Sequence, residues 1–137
     1  MVDTKGYLKM IDMGTAKQLN PIYGVFRTNT LVGSPHYMAP EIIAGKGYSF
    51  TCDIWSIGVI VYEFFCEVLP FGNKSDDPFD IYQQIMKKKL SFPSKMKDEG
   101  AKVFLRQLLS KNPEARLNGS LASLKAHDFF GNFDWLS

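Results

Sequence analysis

A mainly α-helical domain with one short strand at its start is what this sequence predicts, and three observations carry the prediction. Apolar residues recur at helical spacing in four separate stretches after Tyr48, alternation of apolar and polar residues is confined to Gly6–Ile11, and no repeat or low-complexity segment interrupts them. A chain of 137 residues with 45% apolar content can bury one core and leaves little room for a second domain.

Residues Gly6 to Ile11 place Tyr7, Lys9 and Ile11 on one side and Leu8 and Met10 on the other, between Lys5-Gly6 and Gly14. This pattern predicts one strand of a small hairpin whose partner lies upstream. Thr15 to Ser34, with two glycines, Pro21, three threonines and two asparagines, has no sustained period. Such a long loop in a compact domain is expected to be functional or disordered.

From Tyr48 the pattern turns helical. Ser49 is the expected N-cap, Asp53 falls in the first turn where the helix dipole favours a carboxylate, and Leu69-Pro70 is the expected end. Ile54 to Cys66 is apolar on nearly every face, which calls for cover on all sides and makes this helix the axis of the domain. Where covering elements are lacking, Leu8, Met10 and a face of this helix would form an exposed apolar patch.

Asp77 and Pro78 form a cap and first-turn pair for a helix to about Lys88, with Phe79, Tyr82, Ile85 and Met86 as its apolar stripe. Lys87, Lys88 and Lys89 then lie at its carboxyl end, where positive charge suits the dipole. A further helix is expected over Glu99–Ser110, with Val103, Leu105, Leu108 and Leu109 apolar and Pro113 beyond it. A short last helix over Ser120–His127 leads into the aromatic group Phe129, Phe130, Phe133 and Trp135.

Composition excludes several functions. The net charge of +2 comes from scattered Lys and Arg, so there is no nucleic-acid stripe. Cys52 and Cys66 lie fourteen residues apart in one expected helix, roughly 21 Å along its axis at ~1.5 Å per residue, which is beyond disulfide reach. Two apolar-flanked thiols fit a reducing, cytoplasmic setting. The N-terminus lacks the apolar core of a signal peptide, and the longest apolar run, Ile57–Tyr62, is too short to span a bilayer. Asn73 and Asn118 begin glycosylation-type triplets, read as chance matches without a secretory signal. His36 and His127 have no Cys, Asp or Glu at ligand spacing and read as surface or packing residues.

Four motifs occur in a fixed order: Asp12-Met13-Gly14; Gly33-Ser34-Pro35-His36-Tyr37-Met38-Ala39-Pro40-Glu41; Asp53-Ile54-Trp55-Ser56-Ile57-Gly58; and Arg116. Together they resemble the D-F-G element, the G-T-P-x-Y-x-A-P-E element, the opening of the central helix and the late arginine of protein kinases. Arg27–Glu41 and the Phe129–Trp135 tail are similar to the AGC group of serine/threonine kinases. Pro35-His36-Tyr37 and Phe130-Gly131-Asn132-Phe133 resemble the cyclic-GMP-dependent type. The resemblance runs over nearly the whole chain, so residues 1–137 read as a partial kinase domain. It extends from just before the D-F-G element, and the N-lobe and catalytic loop are not within it.

What the resemblance implies can be stated residue by residue. Asp12 stands where the magnesium-binding carboxylate stands, with Met13 in place of the usual Phe; taken alone, an Asp at such a place is a turn residue. Thr30 stands at the activation-loop phosphosite, where a phosphate would add roughly −1.5 to −2 charge and order the segment. Ser34, replacing the usual Thr, with Pro35 and Tyr37 faces the substrate and shapes the pocket for the residue after the phosphorylated one. Glu41 and Arg116 form a buried structural ion pair, and Asp53 and Trp55 open the central helix.

The implied activity is ATP-dependent phosphoryl transfer to protein Ser or Thr, with Mg2+ and ATP as cofactors of the complete kinase. The glycine loop, ATP lysine and catalytic base are not among these residues, so this chain alone is expected to be inactive and to bind neither cofactor. Implied partners are protein substrates, an N-lobe and regulatory cyclic-nucleotide domains. The other reading is a non-catalytic interaction module that binds substrates or regulators through a helical surface around Phe71 and Tyr82.

Overall fold

The computed structural model describes residues 1–19, 33–117 and 120–135. Five α-helices follow in order: α1 Pro40–Ile43, α2 Thr51–Cys66, α3 Pro78–Lys87, α4 Glu99–Leu108 and α5 Leu121–Lys125. Single 3-10 turns stand at Pro35–Tyr37, Pro113–Ala115 and Asp128–Phe130. The predicted mainly helical class is what the described residues form.

The core is organised around α2, whose Ile54, Trp55, Gly58, Val59, Tyr62 and Cys66 are buried. Helix α4 lies against it through Ala101, Phe104, Leu105 and Leu108, spaced three and four residues apart as one helical stripe. Gly58 makes the approach possible: a Cβ there would lie 2.8 Å from the Cβ of Leu108 and 3.0 Å from a methyl of Leu109. At the far end of α4, Phe104 stacks on Phe129 at 4.5 Å and meets Phe130 edge-on at 5.4 Å. The indole N–H of Trp135 donates to the carbonyl of Lys125, which ties the carboxyl end to α5.

Side-chain caps set the starts of three of the five helices. Asp77 accepts from the Phe79 N–H, Asp98 from the Ala101 N–H and Ser120 from the Ala122 N–H, each satisfying a donor that the first helical turn leaves free. Helix α2 instead begins after Phe50, which has helical backbone angles and gives no side-chain cap. Ser49, the expected cap, shares a hydrogen bond with the Thr51 hydroxyl at 3.2 Å. The expected end at Leu69-Pro70 is also corrected. The helix stops at Cys66 because Glu67 turns left-handed at φ 59°, its N–H closing on the Glu63 carbonyl.

The two predicted apolar stripes are partly shifted: Ile85, Leu105, Leu108 and Leu109 are buried as expected, and other members are not. In α3 it is Ile81 and Ile85 that are buried, while Phe79 and Met86 are exposed; in α4 Phe104 is buried and Val103 is 46% exposed. The direction of each stripe follows from where the neighbours lie, with α1 and the Pro35–Tyr37 turn against α3 and α2 against α4. Phe71, expected on a partner-facing surface, is buried and stacks on Trp55 at 5.8 Å.

All-round burial of the central helix is corrected too. Ile57, Ile60 and Phe64 form a stripe at helical spacing that stays exposed, Phe64 by 72%. Leu8 and Met10 are exposed as well, in line with the expected patch. The first residues form a small hairpin with one antiparallel bridge, Val2 to Leu8, and the Asp3 carboxylate accepts from the Lys5 and Tyr7 N–H groups in its turn. The predicted strand is therefore reduced to a bridge, with Val2 opposite Leu8. Both cysteines lie in α2 as free thiols. Among the described residues, no helix is long and apolar enough to cross a membrane.

Candidate functional site

The segment from Gly33 to Glu41 is fastened to the core at several points. Gly33 has φ +113°, a backbone that side chains resist, and it leads into the Pro35–Tyr37 turn. The Ser56 hydroxyl donates to the Tyr37 carbonyl at 2.9 Å, the Tyr37 hydroxyl donates to Glu63 at 3.2 Å, and the His36 ring bonds the Gly72 carbonyl at 3.2 Å. Partial burial and the Glu63 carboxylate raise the Tyr37 phenol above its ordinary pKa, so it remains a donor at neutral pH. Met38, Ala39 and Pro40 then pass into the interior.

The segment ends at a buried, two-pronged ion pair. Arg116 is wholly buried, and its two terminal nitrogens reach the two Glu41 oxygens at 2.6 Å each. The same guanidinium donates to the Thr51 carbonyl at 3.0 Å and, from Nε, to the Ser110 carbonyl at 2.7 Å. Its carbon lies 5.2 Å from the centre of the Trp55 ring. One side chain thereby joins α1, the start of α2 and the turn after α4. A planar donor fork against a carboxylate is the geometry that makes such a pair strong, since each lone pair taken out of water finds a proton. Trp55, between this cation and Phe71, keeps its indole N–H buried with no acceptor among the described residues.

The remaining candidates are less constrained. Ser34 is exposed at the start of the turn, and its hydroxyl makes no capping bond. Asp53 is exposed near the start of α2, and the Cys52 thiol lies 3.7 Å from its carboxylate. Burial, with the Asp53 and Glu41 charges, pushes the Cys52 thiol up to about 12, so it is not a nucleophile at neutral pH. Asp12 is exposed, with φ 60°, and its carboxylate accepts from the Gly14 N–H at 3.1 Å. It forms no group of three potential metal ligands with other described residues. Its exposed carboxylate is the type of hard oxygen donor that magnesium takes. Thr30 lies outside the described residues, as does Arg27.

The structure thus gathers Glu41, Trp55 and Arg116 at the start of α2, while Tyr37 lies along the helix, bonded to Ser56 and Glu63. Sequence reasoning missed Glu63 and Ser56, which hold Tyr37. A signal was present: Glu63 is the one charged residue between Ile54 and Cys66, and it lies two helical turns from Ser56 on the same face.

Comparison with known proteins gives a consistent answer. The model of the protein kinase domain matches residues 1–130. The chain is 46% identical to a cGMP-dependent protein kinase of Toxoplasma gondii over 98% of its length and 13% of that protein. It is 44% identical to a cGMP-dependent protein kinase of Plasmodium berghei, covering 98% of the chain and 16% of the relative. It is 37% identical to a serine/threonine protein kinase of Aspergillus fumigatus, covering 98% and 21%. The chain spans less than a quarter of the length of these relatives. The motif order, the fastened Gly33–Glu41 segment and these matches lead to one conclusion: the chain belongs to the protein kinase family and resembles its AGC serine/threonine members.

Proposed function

We propose that residues 1–137 are the C-terminal lobe portion of a serine/threonine kinase of the cyclic-GMP-dependent type, acting in the cytoplasm on protein substrates. What supports the reading is above all the Glu41–Arg116 pair, which anchors the end of the Gly33–Glu41 segment to the helical core. In this reading Ser34, Pro35 and Tyr37 receive the substrate chain beside the phosphorylated residue, and the Ser56 and Glu63 bonds hold Tyr37 in place. Asp12 is the magnesium carboxylate and Thr30 the regulatory phosphosite, while Asp53 and Trp55 anchor the start of the central helix. Magnesium, when bound, neutralises charge on the transferred phosphates.

The catalytic base, the ATP lysine and the glycine loop belong to sequence outside these 137 residues, as do an N-lobe and cyclic-nucleotide domains. The chain by itself therefore binds no nucleotide and transfers no phosphate. Isothermal calorimetry with Mg-ATP tests this directly: no heat of binding is expected, and micromolar affinity would refute it. The substrate-facing role is tested by titrating a mixture of serine-containing peptides into the chain and following its amide NMR signals. Shifts at Ser34–Tyr37 are expected, and shifts that avoid this segment would sink the assignment.

A further inference from the structure

Between α1, the turn at residues 44–49, the carboxyl end of α3 and the turn at 111–114 lies a cleft of about 410 Å³. That volume is in the range of small-molecule sites, about 300–1,000 Å³. Pro40, Met86 and Pro113 give it apolar walls, and Lys46 and Lys111 are among the residues that line it. The Lys111 Nζ donates to the Met86 carbonyl at 2.9 Å and to the Lys88 carbonyl at 2.7 Å, where α3 leaves carbonyls unpaired.

Charge decides what such a cleft can take. Glu41 borders it, but its charge is matched by Arg116. Among the described residues no carboxylate lies within ion-pair distance of Lys46 or Lys111, and with Glu41 matched by Arg116 the two lysines outweigh the remaining acidic lining residue, Glu114, which is exposed as Lys46 is. The cleft is therefore net positive with apolar walls. Burial lowers the Lys111 pKa from its ordinary 10.5, the mark of a partly dehydrated ammonium that an arriving anion would stabilise. Glu114 would oppose a dianion more than a monoanion.

We propose that this cleft binds a small monocarboxylate with an apolar body, its carboxylate paired with Lys46 and Lys111 and its body against Met86 and Pro113. An occupant there bridges α1, α3 and the turn that leads into Arg116, so it braces the anchor of the Gly33–Glu41 segment. This goes beyond the kinase reading and does not depend on it.

The test is a titration of the full chain with 2-naphthoate, followed by amide NMR, beside the neutral methyl 2-naphthoate and the variant Lys46→Glu. The acid is expected to shift Lys46–Thr51 and Lys111–Glu114. The ester, equal in apolar body, should bind about tenfold more weakly, as expected for loss of charge-assisted hydrogen bonds. Lys46 is exposed, so Lys46→Glu should keep the wild-type spectrum elsewhere and weaken the acid by a similar factor. Equal binding of acid and ester, shifts confined to the Ile57, Ile60 and Phe64 stripe, or no shift at millimolar acid would each overturn the proposal.

Discussion

Glu41→Gln keeps the shape of the side chain and removes its charge, which leaves the Arg116 guanidinium wholly buried without a counterion. Two of the four hydrogen bonds of Arg116 end on backbone carbonyls and survive; the two at 2.6 Å to Glu41 do not survive as a charged pair. The new amide can accept from one nitrogen but presents its own donors to the other. Breaking one side of a buried pair costs about 3–5 kcal/mol, a large part of the ~5–15 kcal/mol that holds a domain folded. At this chain length each kcal/mol moves Tm by about 3–5 °C, so a fall of roughly 10–20 °C is expected. Urea unfolding followed by tryptophan fluorescence in a Trp135→Phe background is a suitable assay, because the remaining tryptophan, Trp55, lies against Arg116. The double variant Glu41→Gln with Arg116→Met should be less unstable than the two single losses added together, since it leaves no orphaned charge. A Glu41→Gln variant within about 1 kcal/mol of wild type would refute the claim that this pair anchors the segment.

Three further outcomes follow from the packing. Gly58→Ala would force a Cβ to within 2.8 Å of Leu108, and the overpacking should cost about 1–3 kcal/mol by urea titration despite the better helix propensity of alanine. A neutral or stabilising result would mean that α4 can shift freely. Tyr37→Phe removes the bond to Glu63 and should cost about 0.5–1.5 kcal/mol, with amide shifts centred on Ser34–Met38; unchanged spectra there would show that the bond does not hold the turn. Cys52, raised to about 12 from an ordinary 9.0, keeps its proton in the folded state through pH values where the unfolded thiol loses it. Its stabilising effect is therefore complete below about pH 9 and is lost as pH climbs toward about 12, so Cys52→Ala should flatten the alkaline fall in the urea midpoint. Tyr37 acts with the same sign and Lys111 with the opposite one, so the comparison of variant with wild type isolates the thiol.

Much of the site was legible because its chemistry rests on residue type at fixed spacing. Asp77 lies next to the helix it caps, and a capping bond reaches only two or three residues, so there the local sequence was enough, whereas Ser49 has the same chemistry and does not cap α2. The motif order from Asp12 to Arg116 is likewise a linear property. Glu41 and Arg116 are separated by 75 positions, and their pairing was expected through the family pattern rather than from any local signal.

The sequence by itself determined the helical class, the cap of α3 and the residues that mark the family, because each depends on neighbours along the chain. Only the tertiary structure decided which faces of those helices are covered. Phe79 and Val103 have the right spacing for an apolar stripe yet face solvent, while Phe71 is buried against Trp55. The Ile57, Ile60 and Phe64 stripe is as apolar as the buried side of α2 and remains uncovered. Hydrophobicity states that a side chain gains from leaving water, and burial needs another surface to receive it. Where that surface lies is a property of distant elements brought together, which no local pattern contains.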